Sequence, residues 1–256
     1  MNSTTPLLID FDGVLKIGNT PAPDAEIFLK YITDSKIPAI ILSNSTLYSG
    51  TQVKEFLAEN GLPFNIPCIT TVDASLEYIK NNNLVIKSFC NDSVKHFFQA
   101  YESDKPDIVL IGDLGDKWNY DILNEIFRYV HNGAGIVAMQ KNKFWKPAGE
   151  LCLDAGAFIA AIEYASGKKS LLLGKPSPLY FEAALQVIGC NLQTGFIMLG
   201  DDIDNDIEAA QKLNGKGLLI YTGKTKYPLP EDKAKPDYQA FSLLEIISFI
   251  KKEYGL

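Results

Sequence analysis

The chain has 256 residues, 46% of them hydrophobic, and a formal net charge of −7, with a sequence pI of about 4.9. That length can bury a sizeable core and leaves room for a second domain, while the acidic balance gives no electrostatic footprint for nucleic acid or an anionic membrane. Nothing approaches the roughly 18 uninterrupted apolar residues of a membrane span, so the expected partner is a small diffusing molecule, not nucleic acid or a membrane.

The opening MNSTTPLLIDFDGVL places no basic segment ahead of its apolar run and does not read as a signal peptide. Short apolar runs then alternate with helical patterns. Leu7–Ile9 reads as a strand, Glu26–Ile32 as a helix, Ile37–Leu42 as a strand and Val53–Leu57 as part of a helix that starts near Ser49 and stops at Asn60-Gly61. This βαβα order implies a parallel sheet covered by helices.

The block from about Leu76 to Lys169 has strand candidates at Leu84–Phe89, Ile108–Ile111 and Ile136–Met139, with helices at Asp92–Tyr101, Tyr120–Val130 and Ala157–Ala165. It is large enough to be an α/β domain of its own. Alternation resumes near Ser170 with Leu171–Leu173, the helix Leu179–Val187, the strand Phe196–Leu199, the helix Ile207–Leu213, the strand Leu218–Tyr221 and a last helix Leu243–Lys252. The expected architecture is α/β: a Rossmann-like parallel-sheet core of residues 1–75 and 170–256, with an inserted α/β cap domain of residues 76–169.

Cys68, Cys90, Cys152 and Cys190 are far apart with no C-x-x-C pair and read as reduced thiols of a cytoplasmic protein. Arg128 is the sole arginine, so a phosphate group would have to be met by metal, lysine and backbone N–H groups instead of guanidinium forks. The two histidines, His96 and His131, sit far in sequence from the acidic clusters and read as structural.

The chemistry-bearing residues gather just after strands. In Asp10-Phe11-Asp12-Gly13, two carboxylates at i and i+2 past a buried strand leave on the same side, at the sheet edge where open α/β folds bind ligands. One can attack while the other manages protons; alternatively the pair is a solvated acidic turn. Gly200-Asp201-Asp202-Ile203-Asp204-Asn205-Asp206 follows Phe196–Leu199, and such dense acidity suits a cation with oxygen-only ligands. Helix capping by Asp204 or Asp206 is the competing explanation. Ser43-Asn44-Ser45 offers a hydroxyl and N–H donors to an anion, or is an ordinary polar turn, and Gly174-Lys175-Pro176 offers one restrained positive charge, or holds a solvated surface lysine.

DFDGVL (10–15), SNS (43–45), GKP (174–176) and GDDIDND (200–206) together resemble, in order and separation, the four motifs of the haloacid dehalogenase superfamily. The insertion resembles the α/β cap of its NagD-like subgroup. Residues 143–185 are similar to the branch containing phospholysine phosphohistidine inorganic pyrophosphate phosphatase.

The resemblance implies a Mg²⁺-dependent phosphatase acting on a small phosphorylated substrate. Asp10 would be the nucleophile, forming an aspartyl-phosphate, and Asp12 the general acid and then base. Asp10, Asp201 and the backbone carbonyl of Asp12 would hold Mg²⁺. Ser43 and the Asn44 N–H would bind phosphoryl oxygens, Lys175 would neutralise the phosphoryl group, and Asp202 and Asp206 would orient metal waters or Lys175 from behind. Thr222-Gly223-Lys224 resembles a family loop and is taken as structural.

In the cap, Asp154, Gly156 and Phe158 are the candidates for reading the substrate: Gly156 for a tight turn, Asp154 as acceptor or as cap of the helix at Ala157–Ala165, and Phe158 as an apolar wall. Phe144, Trp145 and Phe158 could line a substrate pocket, but apolar rings more often serve core packing or, here, a homodimer contact through the cap. Two rival functions are a catalytically silent phosphate-ligand sensor of the same fold and a metal-free carbon–halogen hydrolase. The full set Asp10, Asp12, Lys175 and Asp201 argues against the first, Asp12 and the GDD run against the second.

Overall fold

The structure is a computed structural model that describes residues 5–62, 65–145 and 150–254. Residues 146–149, part of the segment that carries the branch resemblance, lie outside the described residues. The first stretch runs β1 (Leu7–Ile9), a hairpin of β2 (Lys16–Ile17) and β3 (Thr20–Pro21), α1 (Ala25–Asp34), β4 (Ala39–Ser43), α2 (Gly50–Glu59) and β5 (Cys68–Thr70). The middle runs α3 (Thr71–Asn81), β6 (Ile86–Phe89), α4 (Asp92–Phe98), β7 (Ile108–Ile111), α5 (Tyr120–His131), β8 (Gly135–Ala138), β9 (Phe144–Trp145), β10 (Cys152–Leu153), α6 (Ala155–Ser166) and β11 (Leu171–Leu172). The last stretch runs α7 (Pro178–Val187), β12 (Phe196–Gly200), a π-helical turn (Ile203–Glu208) continuing as α8 (Ala209–Lys212), β13 (Gly215–Ile220), β14 (Tyr238–Ala240) and α9 (Leu243–Tyr254).

Two compact units result. One comprises Met1–Ser43, Gly50–Ile69 and Lys175–Leu256, the other Asn44–Ser49 and Thr70–Gly174. In the first, six strands order as β14-β13-β12-β1-β4-β5. β1 pairs in parallel with both β12 and β4, and β13 with both β12 and β14. Leu7, Ile9 and Phe11, at every second position, enter one apolar cluster with Phe28 and Leu29 of α1 and Ile246 and Ile250 of α9. Each such fully buried side chain contributes about 1.5–3 kcal/mol relative to exposure.

The second unit has its own four-stranded sheet, β11-β8-β7-β6, parallel at each pairing. Alternation along β7 divides its core: Val109 and Ile111 pack with Ile126 of α5 and Ile159 of α6, whereas Ile108 and Leu110 pack with Ile79 of α3 and Val94 of α4. Thr70 opens α3 with a capping box to Asp73.

Besides the short Asn44–Ser49 segment, which the sequence placed in the core, the divisions fall at Ile69/Thr70 and Gly174/Lys175, within six residues of the expected 75/76 and 169/170. Leu171–Leu172 is the cause at the second border, because it completes the sheet of the inserted unit by pairing with β8 and does not belong to the core sheet. An apolar run has the same pattern in either sheet; only its pairing partner decides. No helix among the described residues is long and apolar enough to cross a membrane.

Candidate active site

Three adjacent strands deliver the acidic and hydroxyl groups to one edge. Ile9 stands opposite Leu199 of β12 and Ile41 of β4 in parallel register, so Asp10, Asp201 and Ser43 leave the sheet at its carboxyl end together. The Asp10 N–H still bonds the Leu199 carbonyl at 2.9 Å. The chain then turns sharply: the Leu15 and Lys16 N–H groups both return to the Phe11 carbonyl, and Gly13 takes φ +88°, a conformation that favours glycine.

Lys175 arrives from the other side of its loop. A cis Lys175–Pro176 bond precedes α7, and the Tyr180 hydroxyl on that helix donates to the carbonyls of Ser43 (2.6 Å) and Ile69 (3.2 Å). This ties the start of α7 to the ends of β4 and β5. Lys175 Nζ lies 2.7 Å from Asp10 Oδ1 and 2.6 Å from Asp206 Oδ1.

Asp206 reaches inward from the π-helical turn, where the N–H groups of both Asp206 and Ile207 point at the Asp202 carbonyl. One oxygen each of Asp10, Asp201 and Asp206 lies within 4.8 Å of the other two. All three side chains are buried. Burial pushes each of these carboxyls up to about 7, with Lys175 opposing the rise at Asp10 and Asp206 and the neighbouring carboxylates adding to it. Burial alone would lower Lys175, but Asp10 and Asp206 hold it above the usual lysine range. Three carboxyls crowd here, and the ammonium bonds two of them. A hard divalent cation would offset the remaining repulsion, and the cluster is all oxygen, with neither imidazole nor thiol, as Mg²⁺ prefers. The donor set therefore fits the metal.

Asp12, like Asp10, is paired with a lysine, but it differs in exposure. Its side chain is 52% exposed and is paired at 2.8 Å with Lys16, whose ammonium lies 5.6 Å from the centre of the Phe11 ring. The pair is therefore asymmetric, one carboxyl accessible and the other buried. Ser43 is buried, and Asn44 falls in the second compact unit.

Asp202 accepts from the Asp204 and Asn205 N–H groups, from the Asn205 side chain (2.8 Å) and from Lys224 Nζ (2.5 Å). It is thus the residue that caps this turn, where the sequence suggested Asp204 or Asp206, and Lys224 holds its carboxyl below the usual range despite its burial. Asp204 instead pairs with Lys233 in partly exposed surroundings.

In the second unit, Asp154 is the N-cap of α6. Its Oδ1 accepts from the Ala155 N–H (2.7 Å) and from Gln140 Nε2 (2.5 Å). Gly156 lies inside that helix, not in a turn: a Cβ there would stand 2.4 Å from the Lys141 and Asn142 carbonyl oxygens, so its bare Cα allows a close helix-to-loop approach. Phe158 stacks on Trp118 with ring centres 4.4 Å apart. The aromatic dipeptide Phe144-Trp145 forms β9, half exposed and paired with β10. His96 and His131 pack on Phe97 and Phe127.

The loop Thr222–Thr225, of which the sequence marked Thr222-Gly223-Lys224 as structural, has partners the sequence did not name. The Lys224 N–H donates to Asp201 Oδ2 and the Thr222 hydroxyl to the Gly13 carbonyl, each at 2.5 Å. No local pattern signals contacts to residues so distant in the chain.

Residues 7–103 match the family model described as haloacid dehalogenase-like hydrolase, and residues 172–246 match a second, HAD-hydrolase-like model. The chain is 30% identical over 233 residues to haloacid dehalogenase-like hydrolase domain-containing protein 2 of Bos taurus, covering 90% of this chain and 88% of the relative. It is 27% identical over 241 residues to the Homo sapiens phospholysine phosphohistidine inorganic pyrophosphate phosphatase, covering 91% and 88%. Among solved structures, NagD from E. coli superposes with a TM-score of 0.78 at 24% identity, covering 95% of this chain and 98% of that one, a likeness of fold.

Proposed function

Because this chain belongs to the haloacid dehalogenase-like hydrolase family, we propose that it is a magnesium-dependent phosphatase of small phosphorylated molecules that works through an aspartyl-phosphate on Asp10. The observation that carries this reading is the buried Asp10 carboxylate, bonded to Lys175 and clustered with Asp201 and Asp206. Asp10 and Asp201, with the Asp12 carbonyl, would hold Mg²⁺, which supplies charge neutralisation between the nucleophile and the phosphoryl group.

Asp10 attacks phosphorus, forming a carboxylate–phosphorus bond as the ester bond breaks, and Asp12 gives its proton to the departing oxygen. Asp12 then takes a proton from water, whose oxygen attacks phosphorus, releasing phosphate and restoring Asp10. Lys175 balances the charge carried by the phosphoryl group and Asp10 throughout. The Ser43 hydroxyl and the Asn44 N–H bind phosphoryl oxygens. Asp206 orients Lys175, and Asp202 holds the turn that carries Asp206. The second unit, with Asp154, Gly156 and Phe158 in its framework, reads the remainder of the substrate.

Phosphate release from p-nitrophenyl phosphate, measured after chelation and after Mg²⁺ is added back, tests the reading. Activity lost in chelator and restored by Mg²⁺ is expected; full activity in chelator removes the metal from the proposal. A phosphate-release screen over sugar phosphates, nucleotides, pyridoxal phosphate, pyrophosphate and phosphoramidates then finds the substrate.

A further inference from the structure

The loop Thr222–Thr225 contributes no group to the chemistry above, yet it grips both acidic loops. Besides the Lys224 and Thr222 bonds to Asp201 and Gly13, the Thr225 N–H donates to the Asp201 carbonyl at 3.0 Å, and the Thr225 hydroxyl accepts from the Ile203 N–H at 3.0 Å. Gly223 lies at the closest point. A Cβ on it would stand 1.8 Å from Asp201 Oδ2, far inside any real contact. Gly223 is not among the residues with positive φ, so glycine is required there for space and not for backbone freedom. From its own loop, Gly13 presses on the same oxygen, which a Cβ there would meet at 2.3 Å. One oxygen of Asp201 is thus walled by two bare Cα atoms and bonded to a backbone N–H.

We infer that Gly223 is a positioning residue of the cation site, reserving the space in which the Asp201 carboxylate keeps its metal-binding orientation, and that Thr222 couples this loop to the loop of Asp10. The inference rests on the magnesium-dependent reading above. Gly223 touches neither substrate nor metal and acts through Asp201. With an alanine methyl at 223, the carboxylate must rotate or retreat, and the geometry of a hard cation's oxygen ligands degrades.

The test is a Mg²⁺ titration of wild type, Gly223→Ala, Thr222→Val, Thr222→Ser and Asp201→Asn. It has two readouts: the Mg²⁺-induced shift in melting temperature, and the Mg²⁺ concentration that half-saturates p-nitrophenyl phosphate hydrolysis. Gly223→Ala is expected to raise the half-saturating Mg²⁺ by about tenfold or more, with turnover at saturating Mg²⁺ falling by a smaller factor. Its metal-free melting temperature should fall by about 2–4 °C for each kcal/mol the displaced carboxylate costs, so the Mg²⁺-induced shift is read against each variant's own metal-free value. Thr222→Val should weaken Mg²⁺ binding in the same direction by a smaller factor, and Thr222→Ser, which keeps the hydroxyl, should restore it.

Wild-type Mg²⁺ affinity in Gly223→Ala, while Asp201→Asn has lost it, overturns the inference and leaves the phosphatase reading standing. If Gly223→Ala does not fold, an unchanged Mg²⁺ response in Thr222→Val overturns it equally. A wild-type protein that responds to Mg²⁺ in neither readout removes the underlying reading itself.

Discussion

Lys175 Nζ lies 2.7 Å from Asp10 Oδ1, and only 2% of the lysine side chain and 10% of the aspartate side chain remain exposed. Their partnership makes each charge tolerable in the other's presence. Replacing Lys175 by Met should reduce phosphate release by at least about 100-fold, because the ammonium bonded to Asp10 is the charge proposed to offset the phosphoryl oxygens. It should also destabilise the fold by about 3–5 kcal/mol, because buried carboxylates lose their counter-charge. Steady-state rates and denaturant unfolding check the two effects separately. A Lys175→Met protein with wild-type turnover would remove Lys175 from the mechanism.

Asp10 and Asp12 should separate by kind of defect. Asp10→Asn is expected to abolish turnover and the trapping of labelled phosphate on the protein. Asp12→Asn should lower the rate by about 10²–10⁴-fold for alkyl phosphates and less for p-nitrophenyl phosphate, whose leaving group needs no proton. The ratio of the two substrates in Asp12→Asn is the deciding measurement, and an unchanged ratio contradicts the acid–base assignment.

Asp154 is occupied by the Ala155 N–H and the Gln140 side chain, and this commitment favours a capping role over a reading role. Asp154→Ala should cost about 1–2 kcal/mol, seen as a lower melting temperature, and leave the ratio of kcat/KM values across a substrate panel unchanged. A changed ratio at unaltered stability would return Asp154 to the residues that read the substrate.

Glu163 couples stability to acid pH. It accepts from Lys141 Nζ at 2.7 Å and from the N–H and hydroxyl of Ser170. Although burial raises its carboxyl, these partners dominate and hold it at about 2, below the ordinary 4.5. A depressed folded value means the unfolded chain binds the proton more readily, so the stabilisation is complete above about pH 5 and drains away toward pH 2. Discounted for solvent screening of a partly exposed pair, it amounts to on the order of 2 kcal/mol. Glu163→Gln should therefore lose stability at pH 7 and show a shallower acid limb in unfolding free energy against pH; parallel curves for the two proteins would contradict the coupling.

Much of this arrangement was legible because its parts are local. An apolar triplet followed by Asp10-Phe11-Asp12-Gly13 announces a strand end wherever it occurs, and the amphipathic period of Tyr120–Val130 announces a helix within one residue of its observed end at His131. What escaped depends on partners. Leu171–Leu172 has no feature that names β8 as its neighbour. The three residues of β14 hold one buried side chain, Ala240, and pair with β13 on a margin too small for a periodic signal. Thr222 and Gly13 are 209 residues apart, so their bond appears only once the sheet has been assembled.

The position of β1 between β4 and β12 sets a schedule for the newborn polypeptide. Its partner on one side, Ala39–Ser43, follows within a few dozen residues, whereas its partner on the other, Phe196–Gly200, comes more than 150 residues later. At about 5–20 residues per second of synthesis, the open edge of Leu7-Leu8-Ile9 waits on the order of ten seconds or more for its second neighbour. During that interval the half-built sheet is a template for any passing strand. Fragments that stop short of Phe196 should therefore be sticky and dependent on chaperones, and the Asp10 loop should acquire its native surroundings only after residues 196–225 have emerged.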